Sequence, residues 1–209
     1  MDYASTIFYI IVVICSLVVH EMSHGFMALY LGDDTAKRAG RLTLNPLKHL
    51  DPFGSVILPL LLAISHLPVF GWAKPTPYDP RFLKHPKRDA GLIHLAGPAS
   101  NFLLALIFAI LFRILIAFTE SSVQLDQVLQ LFIMIIVTNL VLGFFNLLPI
   151  PPLDGSGVLF ALLPPSFNGL ETFLRQFGMI ILLFVFMSGA SFLSPLIYNA
   201  AHFLIDFGR

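Results

Sequence analysis

The sequence predicts an all-α polytopic membrane protein of about four to six membrane helices, with a re-entrant segment and a short β-strand element near the functional site. Three observations carry that expectation. Of 209 residues, 57% are hydrophobic and only 11% are charged, where a soluble domain carries about 25% charge. Several apolar runs are long enough to cross a bilayer. The basic residues crowd into one polar region: nine of the twelve Lys and Arg fall between Lys37 and Arg88.

Taken in chain order, residues 4–31 form the first predicted helix, uncharged from Tyr3 to Val19 and apolar again after His24. Asp2, the lack of a basic n-region and the length of the run argue for a retained helix over a cleaved signal. Residues 37–52 read as a basic strand and loop. Within them Leu42 and Leu44 alternate against Arg41, Thr43 and Asn45, which suits either a structural hairpin or an edge that pairs with another chain. Residues 53–77 begin with an apolar stretch broken by Pro59 and Pro68. Basic residues flank that stretch on both sides, so the positive-inside rule places both flanks in the cytoplasm and makes it a re-entrant element. Residues 91–119 and 127–148 are the next helices, joined by a segment with Glu120 and Asp126 and no basic residue. Residues 173–206 are expected to be kinked at Ser188-Gly189 and Ser194-Pro195. The whole of 1–209 reads as a single membrane-embedded domain.

Zero net charge gives no field to hold nucleic acid. The single cysteine, Cys15, excludes an intrachain disulfide framework and a cysteine metal cluster.

Within the first helix stands His20-Glu21-Met22-Ser23-His24, an HExxH pattern that this composition would produce by chance about 0.003 times. Histidines four apart share a helix face and can both reach one zinc ion, with the glutamate held beside the water that the metal activates. The alternative is a pair of histidines bonded to a neighbouring helix, though a glutamate inside a membrane helix is costly and marks function by default. Catalytic zinc commonly takes three protein ligands and a water, so a third must come from elsewhere. His49 and His85 suit a surface role better than ligation; His66 and His202 lie in less defined places; His94 fits either a supporting role at the metal or a purely structural one. Asp154, in Asn146-Leu-Leu-Pro-Ile-Pro-Pro-Leu-Asp154-Gly155, is the strongest candidate. Prolines 149, 151 and 152 end the preceding helix in what should be extended backbone, and such backbone at membrane depth lines a cavity or is buried in protein. A solvated Asp-Gly turn is the alternative.

HExxH in an early membrane helix followed by NLLPIPPLDG resembles the site-2 protease family of intramembrane zinc metalloproteases. Gly40–Pro46, Gly71–Pro77 and Ala96–Asn101 are similar to its short prokaryotic branch. The resemblance implies one zinc per chain bound by His20, His24 and Asp154, Glu21 activating the water, and Asn146 holding the substrate or its oxyanion. Thr43, Trp72 and Asn101, one from each intervening motif, are the further candidates for substrate contact. It implies transmembrane protein substrates, lipid as the surrounding partner, and a prokaryotic cytoplasmic membrane with the active site toward the cytoplasm. No regulatory soluble domain is implied. Two other classes fit the residues less well: a metal transporter, for which internal repeats are missing, and a catalytically idle scaffold.

Overall fold

The computed structural model describes residues 3–65, 71–119, 122–187 and 192–206. His66, Pro68, Glu120 and Ser188-Gly189, each used in the sequence reading, lie outside the described residues. The expectation of an all-α membrane protein holds. Eight α-helices are described: α1 Tyr3–Tyr30, α2 Thr35–Arg38, α3 Leu58–Ile64, α4 Pro86–Phe118, α5 Val123–Asn146, α6 Asp154–Leu162, α7 Asn168–Met187 and α8 Leu193–Asp206. By length and composition four segments can cross a membrane: Tyr3–Tyr30, Pro86–Phe118, Val123–Asn146 and Pro165–Met187. At 1.5 Å per residue each exceeds the roughly 30 Å hydrocarbon core. Their outer faces expose large apolar side chains such as Ile7, Ile10, Leu103, Ile110 and Phe184, as a lipid solvent allows.

The boundaries move where local chemistry dictates. α4 starts at Pro86, earlier than 91, because proline suits the first helical turn and Asp89 favours the positive end of the helix dipole. α5 starts at Val123, since the Ser122 side chain accepts from the Leu125 amide and so caps an orphan donor.

α4 is the hub, packing against α1, α5, α6 and α8. Its Ala105, Ala109 and Phe112 form the buried core with Ile136 and Leu140 of α5, and Ile197, Ala200, Ala201 and Leu204 of α8 close over them. Small residues at the α4 contact let the helix axes approach, the usual basis of helix association in lipid. On α1 the buried positions include Val12, Ser16, His20, His24 and Ala28, a row at four-residue spacing. That row is one ridge of the helix, so the fold turns both histidines inward together.

Two expectations are corrected. No strand forms among the described residues: within the expected 40–45 strand, Leu42, Thr43 and Leu44 are bends. The groups that a ladder would use are satisfied locally, since the Asn45 amide donates to Thr43 Oγ1, His49 Nε2 meets the Thr43 carbonyl at 2.9 Å, and the Arg41 amide donates to Ala36. The proline run after α5 is also not extended. Bonds from the amides of Leu148, Ile150 and Leu153 to the carbonyls of Phe145, Leu148 and Ile150 wind it into consecutive tight turns, and Asp154 opens α6.

Candidate active site

His20 and His24 converge with Asp154, and the ligand atoms of the three lie within 4.8 Å of one another. His20 Nε2 is 2.9 Å and His24 Nε2 3.3 Å from the same oxygen, Asp154 Oδ2. The two histidines are 4% and 7% exposed, so the cluster is shut off from bulk solvent on the α1 side. Asp154 stands in the first turn of α6, where the helix dipole favours a carboxylate.

Tautomers follow from the partners. His24 Nδ1 is 2.6 Å from the Ile93 carbonyl, which can only accept, so Nδ1 carries a proton and Nε2 is the nitrogen that would offer a lone pair to a metal held against Asp154. His20 Nδ1 is 2.7 Å from Asn101 Oδ1, which has the same consequence. Behind that bond a chain of polar groups runs through the bundle: Asn101 Nδ2 donates to Asn139 Oδ1, and Asn139 Nδ2 donates to Ser16 Oγ. Asn101 and Asn139 are fully buried. Two Nε2 lone pairs and one carboxylate oxygen, each fixed from behind, form a donor set suited to zinc.

α4 can come this close only because residue 97 has no side chain. A Cβ there would stand 2.4 Å from His24 Nε2 and 2.6 Å from His20 Nε2, well inside van der Waals contact.

Glu21 is half-buried on the same helix. Its Oε2 accepts from the Thr76 amide and from Thr76 Oγ1, both at 2.8 Å, and Thr76 Oγ1 also reaches the Glu21 carbonyl at 2.9 Å. Residues 71–77 thus cross over the HExxH turn. Arg41 holds them there, donating to the carbonyls of Lys48, Lys74 and Pro75. Burial lowers the Arg41 pKa from its ordinary value while the Glu21 charge raises it.

The other predicted residues fall as follows. Asn146 ends α5 with its Nδ2 bonded to the Leu142 carbonyl at 3.0 Å. Asn101 is spent on His20 and Asn139. Trp72 is 40% exposed and tilted over Phe53, and Thr43 sits in the bends described above. His49, expected at the surface, is instead 3% exposed and ties the 43–49 loop together, because its ring can bond backbone that the missing strand leaves unpaired. His85 and His202 are exposed. His94 meets the other oxygen of the carboxylate, with Nδ1 3.1 Å from Asp154 Oδ1. Tyr78 OH lies 3.4 Å from His94 Nε2, and burial pushes the phenol pKa up, against a smaller opposing effect of Arg175.

Thr76, Asn139 and Ser16 escaped the sequence reading. For Asn139 a signal existed, a polar amide within an apolar membrane run. Thr76 gave none.

The Peptidase family M50 profile matches residues 113–185, a segment that holds both Asn146 and Asp154. A Bacillus subtilis protein named "Putative zinc metalloprotease YwhC" is 42% identical over 184 residues, covering 86% of this chain and 80% of the relative. The chain belongs to peptidase family M50. Two proteins named "Putative zinc metalloprotease Rip2", from Mycolicibacterium smegmatis and Mycobacterium tuberculosis, are also similar. Both are 33% identical, over 92% and 91% of this chain and 70% of their own length. No solved structure matches the chain. As an M50 member it is an intramembrane zinc metalloprotease, the function that the motif resemblance implied.

Proposed function

We propose that the chain hydrolyses peptide bonds within or next to transmembrane helices of other proteins, as one membrane-embedded unit in a prokaryotic cytoplasmic membrane, with one zinc ion held by His20, His24 and Asp154. The convergence of those three donor atoms within 4.8 Å, beside a glutamate on the same helix, carries this reading. When bound, zinc supplies a Lewis acid and a water made acidic enough to act as a nucleophile near neutral pH.

The chain's own residues do the rest. His20 and His24 present Nε2 because Asn101 and Ile93 hold their Nδ1 protons. Thr76 fixes Glu21 by Oε2, which leaves Oε1 to take the proton of the attacking water and pass it to the departing amine. Asn146 would stabilise the oxyanion through the second N–H of its amide, the first being given to the Leu142 carbonyl.

A substrate helix must unwind before its peptide bond can be attacked, since its own hydrogen bonds shield the carbonyl. Thr43 and Trp72 lie on the polar segments that would receive the unwound chain, and pairing with 41–45 would require those bends to straighten as it binds. The 53–77 segment is read as re-entrant. In support, the Trp72 amide donates to the Gly54 carbonyl at 3.1 Å and Ser55 Oγ donates to the Trp72 carbonyl at 2.7 Å, so the chain on the two sides of α3 comes together. The positive-inside rule then puts the active site toward the cytoplasm.

The test is cleavage of membrane-protein substrates by purified enzyme in vesicles. Glu21→Gln should retain zinc and lose more than about a hundredfold in rate, as removal of a general base does. Activity within about tenfold of the parent would remove Glu21 from that role.

A further inference from the structure

We propose that His94 is a positioning residue that leaves Asp154 a single oxygen for the metal and aims that oxygen at His20 and His24. The inference rests on the zinc reading of those three side chains and deepens it.

An unrestrained carboxylate can offer a metal either oxygen or both. Here the two oxygens of Asp154 have separate neighbours. Oδ2 faces His20 Nε2 and His24 Nε2 at 2.9 and 3.3 Å, whereas Oδ1 lies 3.1 Å from His94 Nδ1. Because a carboxylate only accepts, the His94 proton sits on Nδ1 and its Nε2 is left as an acceptor. The group facing Nε2 is the hydroxyl of Tyr78 at 3.4 Å, a phenol and so a donor near neutral pH. Every proton therefore points one way, from Tyr78 to His94 to Asp154. With Nδ1 donating and Nε2 facing Tyr78, His94 has no lone pair directed at the cluster.

The ring is held in that orientation on three sides. Tyr78 packs edge-on against it with centroids 5.8 Å apart, and the His24 ring lies 6.3 Å away. α6 lies against the third side so closely that a Cβ on Gly157 would come within 2.2 Å of His94 Cδ2. One turn of α4 thus carries both Gly97, which admits the histidine pair, and His94, which orients the carboxylate brought by α6. Hydrogen bonding to a ligating carboxylate tunes both its direction and its affinity for the metal.

The test is zinc affinity of the purified full chain in detergent, measured by competition with a chelator of known strength. His94→Phe keeps a ring and removes the donor. His94→Asn returns an amide N–H near the place of Nδ1–H, and His94→Gln carries its N–H too far out. Phe and Gln should weaken zinc binding by about 10- to 100-fold, while Asn stays within about threefold of the parent. Zinc held by His94→Phe as tightly as by the parent would overturn the proposal, as would His94→Asn binding no better than His94→Gln. The Asn and Gln pair decides the matter alone if the Phe variant does not fold. Asp154→Ala run alongside separates the two levels: parent-like zinc affinity there would overturn the ligand assignment itself, whereas loss there with no effect at His94 would overturn only the role of His94.

Discussion

Asn101 spends both ends of its amide inside the bundle, on His20 Nδ1 and on Asn139 Oδ1, and this leaves His20 Nε2 as the nitrogen that faces Asp154. Replacing it with leucine would strand a buried ring N–H on His20 and a buried amide oxygen on Asn139. Such loss costs about 1–3 kcal/mol, so Asn101→Leu should unfold earlier in a denaturant titration and bind zinc more weakly. Parent-like stability and affinity would show that the Ser16–Asn139–Asn101 chain does not support the site. Much of the site was legible in the sequence at this scale. Histidines four apart with an intervening glutamate state their own geometry, because the helix fixes it. Asp154 was legible only through the proline run beside it. The partner of Asn101 was not legible, since it depends on how α4 lies against α1 and α5, which no local pattern encodes. That is why Asn101 was expected at the substrate and is instead behind His20.

The long helices α1, α4, α5 and α7 were readable from length and hydropathy; α6, which begins at Asp154 where the prolines suggested extended backbone, was not. The polar connections were not: alternation over 41–45 suggested a strand, but Arg41 and His49 turn their side chains onto backbone carbonyls and replace the ladder. The 53–77 segment, proposed as re-entrant, brings Gly54 and Trp72 together through the Trp72 amide. If it dips in and returns, Lys48 and Lys84 lie on one side of the membrane and Ser122, at the start of α5, on the other. With Cys15 replaced, Ser122→Cys should react in intact cells with an impermeant thiol reagent. Lys48→Cys and Lys84→Cys should both stay protected until the membrane is opened. External labelling at Lys84→Cys with protection at Lys48→Cys would mean that the stretch spans.

On the scale of the molecule, α4 brings the parts together. α1 supplies His20, Glu21 and His24; α6 supplies Asp154; α4 packs against both and contributes Gly97, Asn101 and His94 at the junction. The site is an intersection of helices far apart in sequence, His20 and Asp154 being 134 positions apart, so a metal bound there would clamp α1 to α6. Zinc K-edge X-ray absorption on the purified protein reads that arrangement directly. It should show one zinc per chain with two imidazoles and oxygen donors at about 2.0–2.2 Å, and Asp154→Ala should lose bound metal. A third imidazole, a sulfur neighbour at about 2.3 Å, or full zinc occupancy in Asp154→Ala would contradict a centre built from His20, His24 and Asp154.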